Sequence, residues 1–279
     1  MALYALDLEQ LISADDALHK KAYCCLECRG ALQVRQGRRR RHFYHVKTSP
    51  GCRLYSKSEA HLLLQLQVQN LFCKGEVVIE RPFPSIGRIA DLCWDRCKII
   101  FEIQCSFIAQ KEVEERMADY ASLGYTVIWL LDDRRFNRRH LSPTELFLRN
   151  TPCYYIHYQK TKLSLFYDQF ELIQQNRRLR TGIKLPVFLA RPRTIPQAPL
   201  SAEIPEQIKR RQESWRLFFE GDLFHKALLS QTSRSTQISM QNWAIWQKNI
   251  PLLKQRQNPS RFLQLFYRFL EWLIRKANV

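Results

Sequence analysis

Three polar residues stand where a pair of β-strands should present apolar side chains. In RIADLCWDRCKIIFEIQCS, residues 88–106, Asp91 falls in the first strand and Glu102 and Gln104 in the second. Side chains alternate along a strand, so Ile99, Phe101, Ile103 and Cys105 share one face while Glu102, Gln104 and Ser106 share the other. A short turn at Asp95 and Arg96 lets Asp91 lie beside Glu102. Two carboxylates that close repel, and one pKa is driven up unless a cation sits between them. Mg²⁺ or Mn²⁺ supplies hard-acid charge, takes oxygen ligands and keeps waters. An ion held there would activate a bound water and polarise a phosphodiester, the two tasks of a hydrolytic nuclease. Gln104 could orient that water but not deprotonate it, because an amide does not titrate. The plainer reading pairs Asp91 with Arg88 or Arg96 and leaves Glu102 facing solvent on a half-exposed sheet.

A second constellation lies nearer the start. Cys25 and Cys28 form C-x₂-C, followed by His42, His45 and Cys52. Tetrahedral Zn²⁺ bound by thiolate and imidazole suits that spacing, and a small segment poor in apolar residues needs such a staple. Cys25, Cys28 and His45 are the firmest ligands, either His42 or Cys52 completes the set, and Cys24 is a spectator. Between the two halves run Arg38, Arg39, Arg40 and Arg41, which repel one another and would grip phosphates without sequence preference, unless they only line a solvated turn. Phe43, Tyr44, Trp94 and Trp129 could stack on bases, but their spacing favours core packing.

These groups need elements to position them. SEAHLLLQLQVQNLF reads as a helix, and GEVVIERPF, GRIADLCWD and KIIFEIQCS as three strands. AQKEVEERMADYASLG then reads as a helix ending at Gly124, and YTVIWLLD as a strand buried on both faces. The expected fold is therefore α/β with the order αβββαβ over residues 56–170. A Cys/His segment precedes it over 1–55. A Pro-rich linker over 171–205, with Pro186, Pro192, Pro196, Pro199 and Pro205, leads into a basic helical module over 206–279. Ser142 and Glu145 stand in capping-box register.

With 279 residues, 46% of them hydrophobic, the chain can bury a real core and is no disordered protein. Its 44 Lys and Arg against 26 Asp and Glu give a net +18, the footprint of a nucleic-acid binder, although a ribosome- or membrane-surface protein would share it. From Lys184 to Val279 there are sixteen Lys and Arg against six Asp and Glu, so the tail carries more than half of the excess. The opening MALYALDLEQ lacks a signal peptide's basic and apolar regions, and no window forms a membrane span, which points to the cytoplasm. There the nine cysteines stay reduced, and a cluster of them suggests metal before disulfide.

Taken in order, YCCLEC, GRRRRHFYH, SEAHL, RIAD, FEIQCS and RMADYASLGYTVIWLL resemble the CoiA family of competence proteins, from about residue 4 to about residue 135 and more weakly to 170. The resemblance implies a restriction-endonuclease-like domain of the PD-(D/E)xK superfamily, here with E-x-Q in place of E-x-K. It implies action on incoming single-stranded DNA during natural transformation, alongside a RecA-type recombinase and a helicase. By position, Asp91 and Glu102 would ligate Mg²⁺, Gln104 would orient water and Glu59 would add an acid. Arg116 and Tyr120, four apart on one helical face, would hold phosphate or brace the site. Where the family shows E-x-E-x-H-x-x-x-K, this chain has Lys57, Glu59, His61 and Gln65. A nuclease and a non-catalytic DNA-binding recombination mediator are therefore both expected readings.

Overall fold

The computed structural model describes residues 2–8, 10–37, 40–47, 49–52, 54–55, 57–159, 162–197, 200, 204–230 and 240–245. The chain divides into two compact units, one of Met1–Asn137 with Cys153–Leu165, the other of Arg138–Pro152 with Phe166–Val279. No helix among the described residues is long and apolar enough to cross a membrane.

The first unit opens with strands β1 (Tyr4–Asp7), β2 (Gln10–Ser13), β3 (Tyr23–Cys24), β4 (Ala31–Gln36) and β5 (Arg41–His45), joined antiparallel in the order β2-β1-β3-β4-β5. In β4, Leu32 and Val34 alternate with polar residues and turn inward. They meet Tyr23 and Phe43, whose rings stand edge to face with centroids 5.1 Å apart. The segment thus has a small core of its own besides the metal staple expected for it.

Helix α1 (Glu59–Gln69) follows, started by Ser58, whose Oγ accepts the His61 N–H. Strands β6 (Val78–Phe83), β7 (Arg88–Trp94) and β8 (Ile99–Gln104) form an antiparallel meander. One-turn 3₁₀ segments ending in left-handed Gly87 (φ 61°) and Lys98 (φ 53°) close its hairpins. Helix α2 (Gln110–Ser122) crosses over to β9 (Thr126–Asp132), which pairs parallel with β8, and β10 (Cys153–His157) adds parallel to β9. Helix, three strands, helix and strand come in the expected order. Phe72, just past α1, packs on Phe101, while Tyr120 of α2 bonds Glu102. Adjacent residues of a strand face opposite ways, so the two helices cover opposite faces of the sheet.

The second unit corrects the expected boundaries. It contains α3 (Pro143–Leu148), β11 (Leu165–Asp168), β12 (Glu171–Gln174), β13 (Arg177–Thr181), β14 (Leu185–Pro186), β15 (Phe188–Thr194), α4 (Glu206–Ser214), β16 (Leu217–Glu220) and α5 (Leu223–Ser230). Residues 171–205, read as linker from their prolines, therefore carry four strands. Pro186 ends the two-residue β14, and Pro192 sits beside a register irregularity between β15 and β16, positions where a missing N–H is tolerated. Residues 138–152 also join this unit, not the preceding domain. Ser142 Oγ caps α3 through the Glu145 N–H, but the Glu145 carboxylate goes to Arg178, so no reciprocal box forms. Residues 206–279 are not purely helical, since β16 pairs with β15. Residues 246–279 of the expected helical module lie outside the described residues.

Buried ion pairs organise this unit. Arg178 bridges Glu145 and Glu171, and Arg211 grips Asp168, both of the latter almost fully buried. Removing one partner of such a pair strands a charge in low dielectric, at a cost of about 3–5 kcal/mol. Arg211→Met should accordingly lower the thermal midpoint sharply, and Asp168→Asn added to it should recover part of the loss. Additive losses would show that the pair is not coupled.

Candidate functional site

The centre is a row of acids. β6 and β7 pair Ile79 with Leu92 and Arg81 with Ala90, and the rung between them, Glu80 against Asp91, is missing. Glu80 there has a left-handed φ of 52°, a strain of about 1–3 kcal/mol that neighbouring structure must sustain. The β7–β8 ladder runs from Trp94↔Ile99 to Leu92↔Phe101, and Asp91 and Glu102 follow at its end. Glu80, Asp91 and Glu102 thus lie at one level across three neighbouring strands, all but fully buried.

Protein cations answer them. Lys57 Nζ lies 2.8 Å from Asp91 Oδ1 and 3.3 Å from Glu80 Oε1. The same Asp91 oxygen has His61 Nε2 at 3.0 Å and accepts from Gln65 Nε2 at 3.2 Å, while Oδ2 accepts the Ile103 N–H at 2.9 Å. Glu80 Oε2 accepts the N–H groups of Leu3 and of Tyr4, the first residue of β1. Lys57, His61 and Gln65 are four residues apart, so one side of the α1 segment supplies all three. Burial opposes ionisation of Asp91, yet the charges of His61 and Lys57 override it and hold the carboxyl far below its usual range. Burial likewise disfavours the Lys57 ammonium, and Asp91 and Glu80 overcome it.

Glu102 turns to the other helix. Its Oε2 accepts from Arg116 Nη1 at 2.6 Å and its Oε1 from the Tyr120 hydroxyl at 3.1 Å. Burial raises its pKa against the pull of Arg116. Arg116 and Tyr120 therefore both hold the Glu102 carboxylate. Gln104 donates to the Ser106 carbonyl at 2.7 Å. Glu59 does not join the acid row. Two residues from His61, it faces another side of α1, onto a cavity of about 320 Å³ shared with Arg35, Arg40 and His42. Sequence reasoning missed Glu80, although a carboxylate amid the apolar GEVVIERPF is the same signal that marked Asp91 and Glu102. Lys57, His61, Asp91, Gln104 and Arg116 open onto a groove of about 390 Å³ that Glu27 also lines.

A divalent ion bridging Asp91 and Glu102 does not fit this arrangement. Lys57 and Arg116 already pair with the three carboxylates, and His61 Nε2 lies 3.0 Å from Asp91 Oδ1. Three donors crowd Asp91 Oδ1, and Glu102 is 1% exposed behind its partners. At this site the buried acceptor left without a hydrogen bond among the described residues is Gln65 Oε1, and a neutral amide oxygen cannot by itself hold Mg²⁺.

The N-terminal cluster does fit a metal. One ligand atom each from Cys25, Cys28, His45 and Cys52 lies within 4.8 Å of all the others, a Cys₃His set suited to tetrahedral Zn²⁺. Cys52 rather than His42 completes it. His42 and His45 are three apart on β5 and point to opposite faces, and His42 meets Arg35 and the Arg40 carbonyl instead. Cys24 is exposed and outside the set. Arg40 pairs with Asp15, and Arg41 donates to the carbonyls of Asp15 and Ala17, so both serve the fold as well as the surface. Arg38 and Arg39 lie outside the described residues. Phe43, Trp94 and Trp129 are core residues, and Arg35 lies over the Tyr44 ring.

A mixed sheet covered on both faces by helices, with acids across its central strands, defines a nuclease-like α/β domain. Residues 57–182 match the family described as competence protein CoiA, nuclease-like domain. No curated protein matches the chain, and no solved structure does.

Two measurements follow from this geometry. Purified protein should hold about one zinc by elemental analysis. Cys25→Ser or Cys52→Ser should lose that zinc while His42→Ala keeps it, and the opposite pattern would move the site. Asp91→Asn should destabilise the fold by about 3–5 kcal/mol at neutral pH, because Lys57 loses its nearest partner. A depressed folded-state pKa stabilises above the unfolded value of about 3.9 and is lost in acid, so the variant's melting temperature should also fall less than wild type's below about pH 4. Parallel acid limbs for the two proteins would remove Asp91 from the balance.

Proposed function

We propose that this protein binds DNA in competence-type DNA processing and that its nuclease-like domain serves as a binding platform, not as a hydrolase. The observation that carries this reading is that both carboxylate oxygens of every acid in the central row already have a protein donor, which a catalytic divalent ion would have to displace. Support for DNA comes from the family match and from the net +18. The grip is assigned to basic surfaces: the Arg38–Arg41 run and the exposed Arg177, Arg191 and Arg193 of the second unit. The incoming strand of natural transformation, handed on to a RecA-type recombinase with a helicase nearby, is the substrate setting that the family suggests.

One observation favours a second reading, Mg²⁺- or Mn²⁺-dependent phosphodiester hydrolysis with Asp91 and Glu102 as ligands: the acid row opens onto a groove large enough for a phosphodiester. End-labelled single- and double-stranded DNA separates the two. Under the binding reading, wild type and Glu102→Gln bind equally and neither cuts with Mg²⁺ or Mn²⁺. Arg38→Ala with Arg39→Ala weakens binding, and affinity falls steeply between about 50 and 200 mM salt. Metal-dependent cleavage by wild type that Glu102→Gln abolishes would replace the platform with a nuclease.

A further inference from the structure

We infer that the Lys57 ammonium is the resident cation of the acid row and closes the Asp91 centre to divalent metal. This deepens the platform reading and rests on it.

The argument starts from placement. Lys57 Nζ sits between the two carboxylates of the missing Glu80–Asp91 rung, at 3.3 and 2.8 Å, and its side chain is 11% exposed. A lysine seldom enters so dry a place unless its charge is answered, and here two acids answer it. The backbone bends to allow this. Glu80 adopts φ 52° at that rung, and the ladder skips one pair while continuing on both sides. The site is built around the ammonium.

Metal exclusion follows from charge and from space. An incoming Mn²⁺ or Mg²⁺ binding Asp91 would stand against a monovalent cation within hydrogen-bond distance of the same oxygen, and buried like charges repel strongly at such range. It would also have to displace donors, since Oδ1 already meets Lys57, His61 and Gln65. Removing the ammonium should reverse both effects at once. Glu80 and Asp91 would then face each other without Lys57, the arrangement that recruits a divalent cation.

Mn²⁺ binding without DNA tests this, read from the loss of the free-ion electron paramagnetic resonance signal on the full, zinc-loaded chain. Wild type and the charge-keeping Lys57→Arg should bind Mn²⁺ only weakly. Lys57→Gln should bind at least about tenfold more tightly, and adding Asp91→Asn should abolish the gain. Lys57→Met, of similar length without charge, is run beside Lys57→Gln, and circular dichroism confirms which variants fold. Wild type binding as tightly as Lys57→Gln overturns the inference, as does a folded neutral variant that gains nothing. Wild type that binds Mn²⁺ yet cuts no DNA would overturn the role of Lys57 alone, whereas the platform reading falls only to cleavage.

Discussion

Carboxylates gathered at one level of a buried sheet repel in a medium that screens them poorly, so they persist only where cations are supplied at matching positions. In this protein the acids come from three successive strands and the cations from the elements around them. Lys57 and His61 reach Asp91 from the start of α1, and Arg116 reaches Glu102 from α2. Asp91 and Glu102 thus take their partners from different helices although their residues follow one another across β7 and β8. The ion pairs thereby tie helices and sheet together, and a change at Asp91 is felt by every element that contacts it.

The N-terminal sheet belongs to the same balance. Leu3 and Tyr4, at the start of β1, give their N–H groups to Glu80, and Glu27 accepts from the Cys52 thiol and the Leu54 N–H. Cys52 is also the last member of the Cys₃His set, and it precedes Lys57 by only five positions. A metal at that set would hold the segment that delivers Lys57 to the centre. The cluster and the acid row are thus mechanically linked within one unit, although their chemistries are separate.

Much of this was legible from local pattern. Period-two alternation marked the strands of the meander, the apolar run YTVIWLL marked β9, and carboxylates out of place marked the row. C-x₂-C with HFYH marked the metal cluster. Other features were hidden for identifiable reasons. The prolines of residues 171–205 look like linker punctuation, but a strand end or a register irregularity tolerates them, and only the partner strands reveal that. His42 and His45 look equivalent until strand alternation puts them on opposite faces. Glu59 and His61 are likewise two residues apart yet serve different cavities, because a helix turns about 100° per residue.

The sequence by itself determined the order of elements, the excess of positive charge, the metal-ligand types and the presence of acids where a sheet should be apolar, because each depends on residue identity and short-range spacing. Which cation answers those acids was a tertiary decision. Lys57 precedes Asp91 by thirty-four positions and Arg116 follows Glu102 by fourteen, and nothing local relates them. Pairing across such separations depends on where α1 and α2 land on the sheet. The packing of their apolar faces sets that, and it brings the charges together as a consequence.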